Sequence, residues 1–255
     1  MPNPSEIAIE FRHVDYDVRG NHALLSDLNL VIQRHELIVL LGRSGSGKTT
    51  SLKLINRLLV PTRGEVRVDD GSTTAWDPIA LRRHIGYAVQ EVGLFPHYTV
   101  EENVALIPKA ERWAKDRIAN RVQEVLSLVG LPAEKFARRY PHELSGGQRQ
   151  RVGLARAIAA DPPILLMDEP FGALDPLTRT DLQREFTDLR KRLGTTVVFV
   201  THDVAEALIL ADRIVLIEEG RSVGIFTPHE FLASPDERIQ AYRESYRAMT
   251  QPLDR

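Results

Sequence analysis

The chain contains no cysteine among its 255 residues. A disulfide framework and a thiolate metal centre are thereby excluded, and a reducing compartment suits it. No apolar run approaches the ~20 residues that span a bilayer, and Met1-Pro2-Asn3-Pro4-Ser5-Glu6 lacks a cationic segment followed by an apolar one. The expected location is therefore the cytoplasm, with any membrane association made through a partner protein. Basic excess is also missing. The 33 Lys and Arg against 35 Asp and Glu leave a net charge of -2, which disfavours nucleic acid as the main partner. Internal repeats and low-complexity segments are absent as well. The 43% of hydrophobic residues is ample for a packed core.

What is present is organised around Gly42-Arg43-Ser44-Gly45-Ser46-Gly47-Lys48-Thr49, which follows the apolar run Leu37-Ile38-Val39-Leu40-Leu41. Three glycines let backbone N–H groups curl around an anion. A helix expected over residues 50–59 then turns the positive end of its dipole toward that anion. Lys48 can extend a point charge to the outer phosphates, and the Thr49 hydroxyl can ligate a bridging magnesium ion. The candidate nucleotide-binding set is Gly42, Ser44, Gly45, Ser46, Gly47, Lys48, Thr49 and Thr50.

Ahead of the loop, Ile7, Ile9 and Phe11 alternate with polar residues, as do Leu28, Leu30 and Ile32. Two half-buried antiparallel strands are expected there, with Gly20-Asn21 turning between them. Past the loop helix, Pro61 and Gly64 break the pattern, Val66 and Val68 read as a strand, and Asp70-Gly71 as a turn. Residues 81–83 read as a short helix leading into a strand over 85–89 that ends at Gln90. From about Glu91 to Tyr140 the character is helical. Ile118, Val122, Val125, Leu126 and Val129 share one face, and Gly130 with Pro132 stops that helix. Strands return at residues 164–167, 196–200 and 213–217, separated by helical stretches of crossover length. The predicted class is α/β. Residues 236–255 read as a charged, helix-like tail.

Four further signals sit at strand ends or helix starts. The buried strand ending in Asp168-Glu169 brings two carboxylates to the edge where a parallel sheet binds ligands. Asp168 can hold magnesium and Glu169 can polarise an attacking water, unless one or both merely cap the next helix. His202 and Gln90 end strands in the same way, as γ-phosphate contacts or as ordinary solvated side chains. Leu144-Ser145-Gly146-Gly147-Gln148-Arg149-Gln150-Arg151 opens a helix and is either a second anion site or a flexible N-cap.

Together these stretches resemble the ATP-binding cassette of ABC transporters over residues 7–231, with Ser145-Gly146-Gly147-Gln148 the most specific match. The resemblance implies a P-loop NTPase fold with a parallel core sheet, an antiparallel β subdomain and a helical insertion. It places one cassette over residues 1–235, with the helical subdomain at about 91–160, and a tail at 236–255. The cofactors implied are ATP and Mg2+, with Thr49, Gln90 and Asp168 as metal donors and Glu169, His202 and Gln90 as catalytic groups. Ser145 and Gly147 are expected to bind the γ-phosphate held by a second copy of the chain, in a dimer that sandwiches two ATP molecules. Ala173-Leu174-Asp175 matches the D-loop at that interface. Where the family stacks adenine on an aromatic residue this chain has Val18, and Tyr16 lies nearby as a substitute.

Ile85-Gly86-Tyr87, Gln90-Glu91-Val92-Gly93-Leu94-Phe95-Pro96-His97 and Glu101-Glu102-Asn103-Val104-Ala105-Leu106-Ile107-Pro108-Lys109 are similar to the ATPase of bacterial osmoprotectant importers. That implies membrane permease subunits as partners, a solute-binding protein as an indirect one, and glycine betaine, choline, carnitine or a related quaternary amine as cargo. Many such subunits carry paired C-terminal CBS domains; the chain ends ahead of them, so their ionic-strength sensing is expected to be missing or to lie elsewhere. An importer of amino acids, polyamines or another solute is the alternative. A nucleic-acid ATPase of the same type would carry a coiled coil between the loop and Ser145, and no heptad run intervenes. A soluble P-loop kinase would leave the Ser145 stretch unexplained.

Overall fold

The computed structural model describes residues 6–18, 22–90, 92–172 and 174–250. The turn expected at Gly20-Asn21, Glu91, Ala173 and the last five residues of the tail lie outside the described residues. The strands are β1 (Ile7–Val18), β2 (His22–Gln33), β3 (Leu37–Leu41), β4 (Arg63–Val68), β5 (Gly71–Ser72), β6 (Ile85–Ala88), β7 (Ile164–Asp168), β8 (Thr196–Thr201), β9 (Arg213–Glu218) and β10 (Arg221–Phe226). The helices are α1 (Lys48–Ile55), α2 (Pro78–His84), α3 (Val100–Val104), α4 (Leu106–Ala110), α5 (Lys115–Leu128), α6 (Ala133–Phe136), α7 (Gly146–Ile158), α8 (Pro176–Leu193), α9 (Val204–Leu210), α10 (Pro228–Ala233) and α11 (Glu237–Thr250). They divide into two compact units, residues 1–74 with 198–255, and residues 75–197.

In the first unit an antiparallel sheet has the order β2-β1-β4-β5. Ile9 and Phe11 of β1 are buried and pair with Ile32 and Leu30, so the expected alternation faces one core. A second set runs β10-β9-β3-β8. All five residues of β3 are buried, as an apolar run between two covered faces requires. β3 is parallel to β9, with Ile38 opposite Arg213 and Leu41 opposite Leu216. Its entry is held by Arg213, which donates from Nε to Glu36 Oε2 at 2.8 Å and from Nη2 to Glu36 Oε1 at 2.6 Å. That two-point geometry is stronger and more directional than a single contact. The Leu37 amide adds a bond to Asp212 Oδ2 at 2.7 Å. The strand that launches the phosphate loop is thus fixed at its base.

Three local features differ from the sequence expectation. Helix α1 starts at Lys48 rather than Thr50 and ends at Ile55 rather than residue 59, because Gly47 already caps it and Arg57 leaves helical space at φ 54°. The β4–β5 turn is at Asp69-Asp70, one residue early, with Asp69 at φ 51°, a conformation aspartate tolerates. β10 and α10 were not anticipated: β10 is an edge strand with no fully buried residue, and α10 has only six residues. The Thr227-x-x-Glu230 capping box was nevertheless a readable start signal for α10.

In the second unit β6 and β7 are parallel, with Ile85 opposite Ile164 and Ala88 opposite Met167. Helix α7 packs on α3 and α5. The α5 face is as expected, with Val122, Val125 and Leu126 buried and Val129 beyond its end. Arg121 of α5 donates to the Ile158 and Ala159 carbonyls at 3.0 and 3.1 Å, so the last turn of α7 is held by a cation placed where the helix dipole favours one.

Candidate active site

The phosphate loop lies in the first unit. Gly47 caps α1 at φ 105°, a left-handed conformation open mainly to glycine. A Cβ there would also meet Leu25 Cδ2 at 2.6 Å and the Leu24 carbonyl at 2.7 Å. Lys48 is buried and folds back, with Nζ donating to the carbonyls of Gly42 and Arg43, both at 2.7 Å. The Ser46 hydroxyl is buried without a hydrogen-bond partner. A buried hydroxyl without a partner, in a loop that also carries the Lys48 ammonium, is an arrangement an incoming anion would relieve. Thr49 and Thr50 follow, both half-buried, in the first turn of α1.

His202 is in the same unit, exposed, just past β8. Its position is set by a buried contact from Thr201 Oγ1 to Glu206 Oε2 at 2.6 Å and by Asp203, which caps α9 through the amides of Ala205 and Glu206. Asp203 thereby orders the start of α9. Arg43, His202, Tyr242 and Tyr246 line one cavity of about 380 Å³. The helical tail, in which sequence reading finds no chemistry, thus supplies two tyrosines beside the phosphate loop. Burial raises the Tyr242 phenol, the Glu218 charge adds to that, and Arg43 opposes it.

The carboxylates belong to the second unit. Asp168 ends β7 and is buried. Next to it on β6, Tyr87 has its phenol pushed up to about 12, first by burial and then by the charge of Asp168 and a hydrogen bond to it. Glu169 is half-buried at φ 44°, a strained conformation for a side-chain-bearing residue. This turn takes the chain out of the strand and sets the carboxylate beside Gln90, whose Nε2 donates to Glu169 Oε2 at 3.4 Å. Neither acid caps the next helix; Asp175 caps α8, accepting from the Thr178 amide. Hydrogen bonds from Thr178 lower the Asp175 pKa.

Ser145 is the N-cap of α7, in a reciprocal box with Gln148: Ser145 Oγ accepts from the Gln148 amide at 3.2 Å and Gln148 Oε1 from the Ser145 amide at 3.0 Å. The cap orders a helix start whose Ser145 and Gly146 remain exposed. Gly147 sits so close to α8 that a Cβ would lie 2.7 Å from Thr178 Cγ2. The starts of α7 and α8, with Ser145 and Asp175, are therefore one packed structure.

The family model described as ABC transporter matches residues 25–172, which hold the loop, Gln90, the Ser145 helix and both acids. The chain belongs to the ABC transporter family. It is 49% identical over 227 residues to the carnitine transport ATP-binding protein OpuCA of Listeria monocytogenes, which covers 89% of this chain and 57% of that protein. The glycine betaine/carnitine/choline transport ATP-binding protein OpuCA of Bacillus subtilis is 47% identical over 227 residues, 89% of this chain and 60% of its own. This member of the family therefore spans about 57 to 60% of the length of those relatives. Among solved structures, the dimeric post-hydrolysis state of the ATP-binding cassette MJ0796 bound to ADP and Pi has a TM-score of 0.77 and 36% identity, over 86% of this chain and 98% of that one.

Within this ABC-family chain, the loop after Gln90 is built by residues that sequence reading did not single out for it. Asn103 is fully buried; its Oδ1 accepts from the Phe95 amide at 2.8 Å, and its Nδ2 donates to the Phe95, Tyr98 and Thr99 carbonyls at 3.1, 3.1 and 2.9 Å. The ring of Phe95 stays 45% exposed, packed against His97 and Tyr98. Phe95 also lines a cavity of about 230 Å³ with Arg82, Arg83, Leu106 and Ile107. Tyr16 is half-buried in β1, whereas Val18 is exposed at its end. Arg156, on the otherwise apolar face of α7, was also missed; a charge at that helical position was its signal.

Proposed function

We propose that the chain is the ATP-hydrolysing motor subunit of an ABC importer for glycine betaine, choline, carnitine or a similar quaternary amine. The observation that carries the chemistry is the contact between Gln90 and the strained, strand-ending Glu169, in a chain that also bears a phosphate loop. The likeness to the two OpuCA proteins supports the solute class. The working unit is a homodimer bound to membrane permease subunits at the cytoplasmic face, with a solute-binding protein acting indirectly and no nucleic acid. Among the described residues, no helix is long and apolar enough to cross a membrane.

In this reading Lys48 exchanges two carbonyls for phosphate oxygens of ATP, and Ser46 gains the acceptor it lacks. Glu169 takes the proton of the attacking water, Gln90 orients that water, and His202 contacts the γ-phosphate. Ser145 and Gly147 of one copy face the nucleotide held by the other, with Asp175 at the same interface, and Tyr16 or Val18 meets the adenine. Among the described residues no cluster of three or more His, Asp or Glu is placed to hold a metal alone. Thr49, Gln90 and Asp168 are the donors that would hold Mg2+, a small set that fits an ion keeping water and phosphate ligands. When bound, the ion screens charge on the phosphate oxygens.

The test is Glu169→Gln. ATP affinity should stay near normal while hydrolysis falls ~10²-fold or more, since the base is lost and Asp168 is spared. Near-normal turnover would overturn the assignment. For the solute, uptake of labelled glycine betaine by cells carrying the chain and its permease should be abolished by the same change; uptake that persists rules out this motor.

A further inference from the structure

Helix α7, which begins at Ser145, also holds the backbone just beyond Gln90. Arg156 Nη1 donates to the Gly93 carbonyl at 2.9 Å and Nη2 to the Val92 carbonyl at 2.6 Å. These are charge-assisted bonds from a planar fork, which fixes direction as well as distance. One turn earlier on the same helix, Gly153 makes room for the Val92 side chain: a Cβ there would lie 2.4 Å from Val92 Cγ1. Val92 is thus gripped by its carbonyl and by its side chain. Two residues back, the contact from Gln90 to Glu169 is 3.4 Å, near the outer limit of a hydrogen bond. A bond that long is sensitive to small displacements of the backbone two residues on.

We propose that Arg156 is a positioning residue for Gln90 and Glu169, acting from the Ser145 helix through the backbone of Val92 and Gly93, with Gly153 as the socket that completes the grip. The proposal rests on the reading of Glu169 as the base. Its consequence is that a displacement of the Ser145 helix is felt at the Val92 and Gly93 backbone, two and three residues beyond the Gln90 amide. Burial lowers the Arg156 pKa from its high ordinary value.

The test uses the full-length chain and measures kcat and KM for ATP, nucleotide affinity and melting temperature together. Arg156→Lys keeps the charge and loses the two-pronged geometry. It should lower kcat roughly 10- to 100-fold, the scale of a displacement near 1 Å, with KM and melting temperature nearly unchanged. Gly153→Ala should do the same by pushing Val92. Trimming the obstacle in Gly153→Ala/Val92→Ala should restore kcat to within about threefold of the parent, a size-for-size coupling between touching residues. A kcat that follows only the folded fraction in all three variants, or a double variant no better than Gly153→Ala alone, overturns the positioning role. Glu169→Gln run alongside separates the two ideas: if it still hydrolyses ATP normally, the base assignment has failed, whatever Arg156 does.

Discussion

The Lys48 ammonium donates to the Gly42 carbonyl at 2.7 Å, closing the phosphate loop onto the side chain that follows it. With the equal contact to Arg43, two carbonyl oxygens occupy the cation, and phosphate oxygens would replace them on nucleotide binding. Lys48→Ala should therefore weaken ATP affinity at least about tenfold, by removing a charge-assisted bond made mainly in the bound state. Equilibrium titration reads this directly. Unchanged affinity would mean that Lys48 only ties the loop together.

In the proposed importer the exposed Phe95 is the residue that would dock a permease subunit, and comparison with the buried Asn103 separates docking from stability. Phe95→Ala removes a ring that is already 45% in solvent, so the melting temperature of the isolated chain should shift little while transport is uncoupled from hydrolysis. Asn103→Ala leaves four backbone partners without their side-chain bonds and should destabilise by roughly 2–4 kcal/mol. A large loss of stability in Phe95→Ala would identify that ring as part of the local core instead.

Tyr87 carries a pH signature. Its folded-state pKa is raised to about 12 from an ordinary 10.0, so between those values the native chain keeps a proton that the unfolded chain releases. The unfolded state then binds fewer protons, and stability falls as pH rises through that window. Denaturant melts across the window should show a steeper decline for the parent than for Tyr87→Phe. Equal slopes would show that Tyr87 does not contribute.

Two anion-type helix starts on one chain, after Gly47 and Ser145, call for two copies packed head to tail about a two-fold axis. Lys48→Ala and Ser145→Arg proteins should each be inactive, and mixing them should restore partial hydrolysis through one intact loop facing one intact Ser145. Glu169→Gln should run as a dimer with ATP and a monomer with ADP. If sizing shows it monomeric in saturating ATP, dimerisation driven by ATP in the isolated chain is excluded.

The phosphate loop, the alternation in β1 and the apolar runs of β3, β7 and β8 were legible from sequence because each depends on neighbours in the chain: a glycine at a left-handed turn, a two-residue pleat, a strand buried on both faces. The cap at Ser145 was equally local, its partner Gln148 being three residues away. Tertiary structure alone decided which of these parts meet. Gln90 and Glu169 are 79 positions apart, Arg156 and Val92 are 64 apart, and Tyr87 lies beside Asp168 only because β6 and β7 pair in parallel at one register. A one-residue slip would turn each strand's side chains to the opposite face. The tail showed a charged helix in sequence, but its tyrosines reached the cavity of Arg43 and His202 only once the chain had folded. Chain-local rules carry information over a turn or two of backbone, whereas the geometry of this site depends on register and packing between segments far apart in sequence.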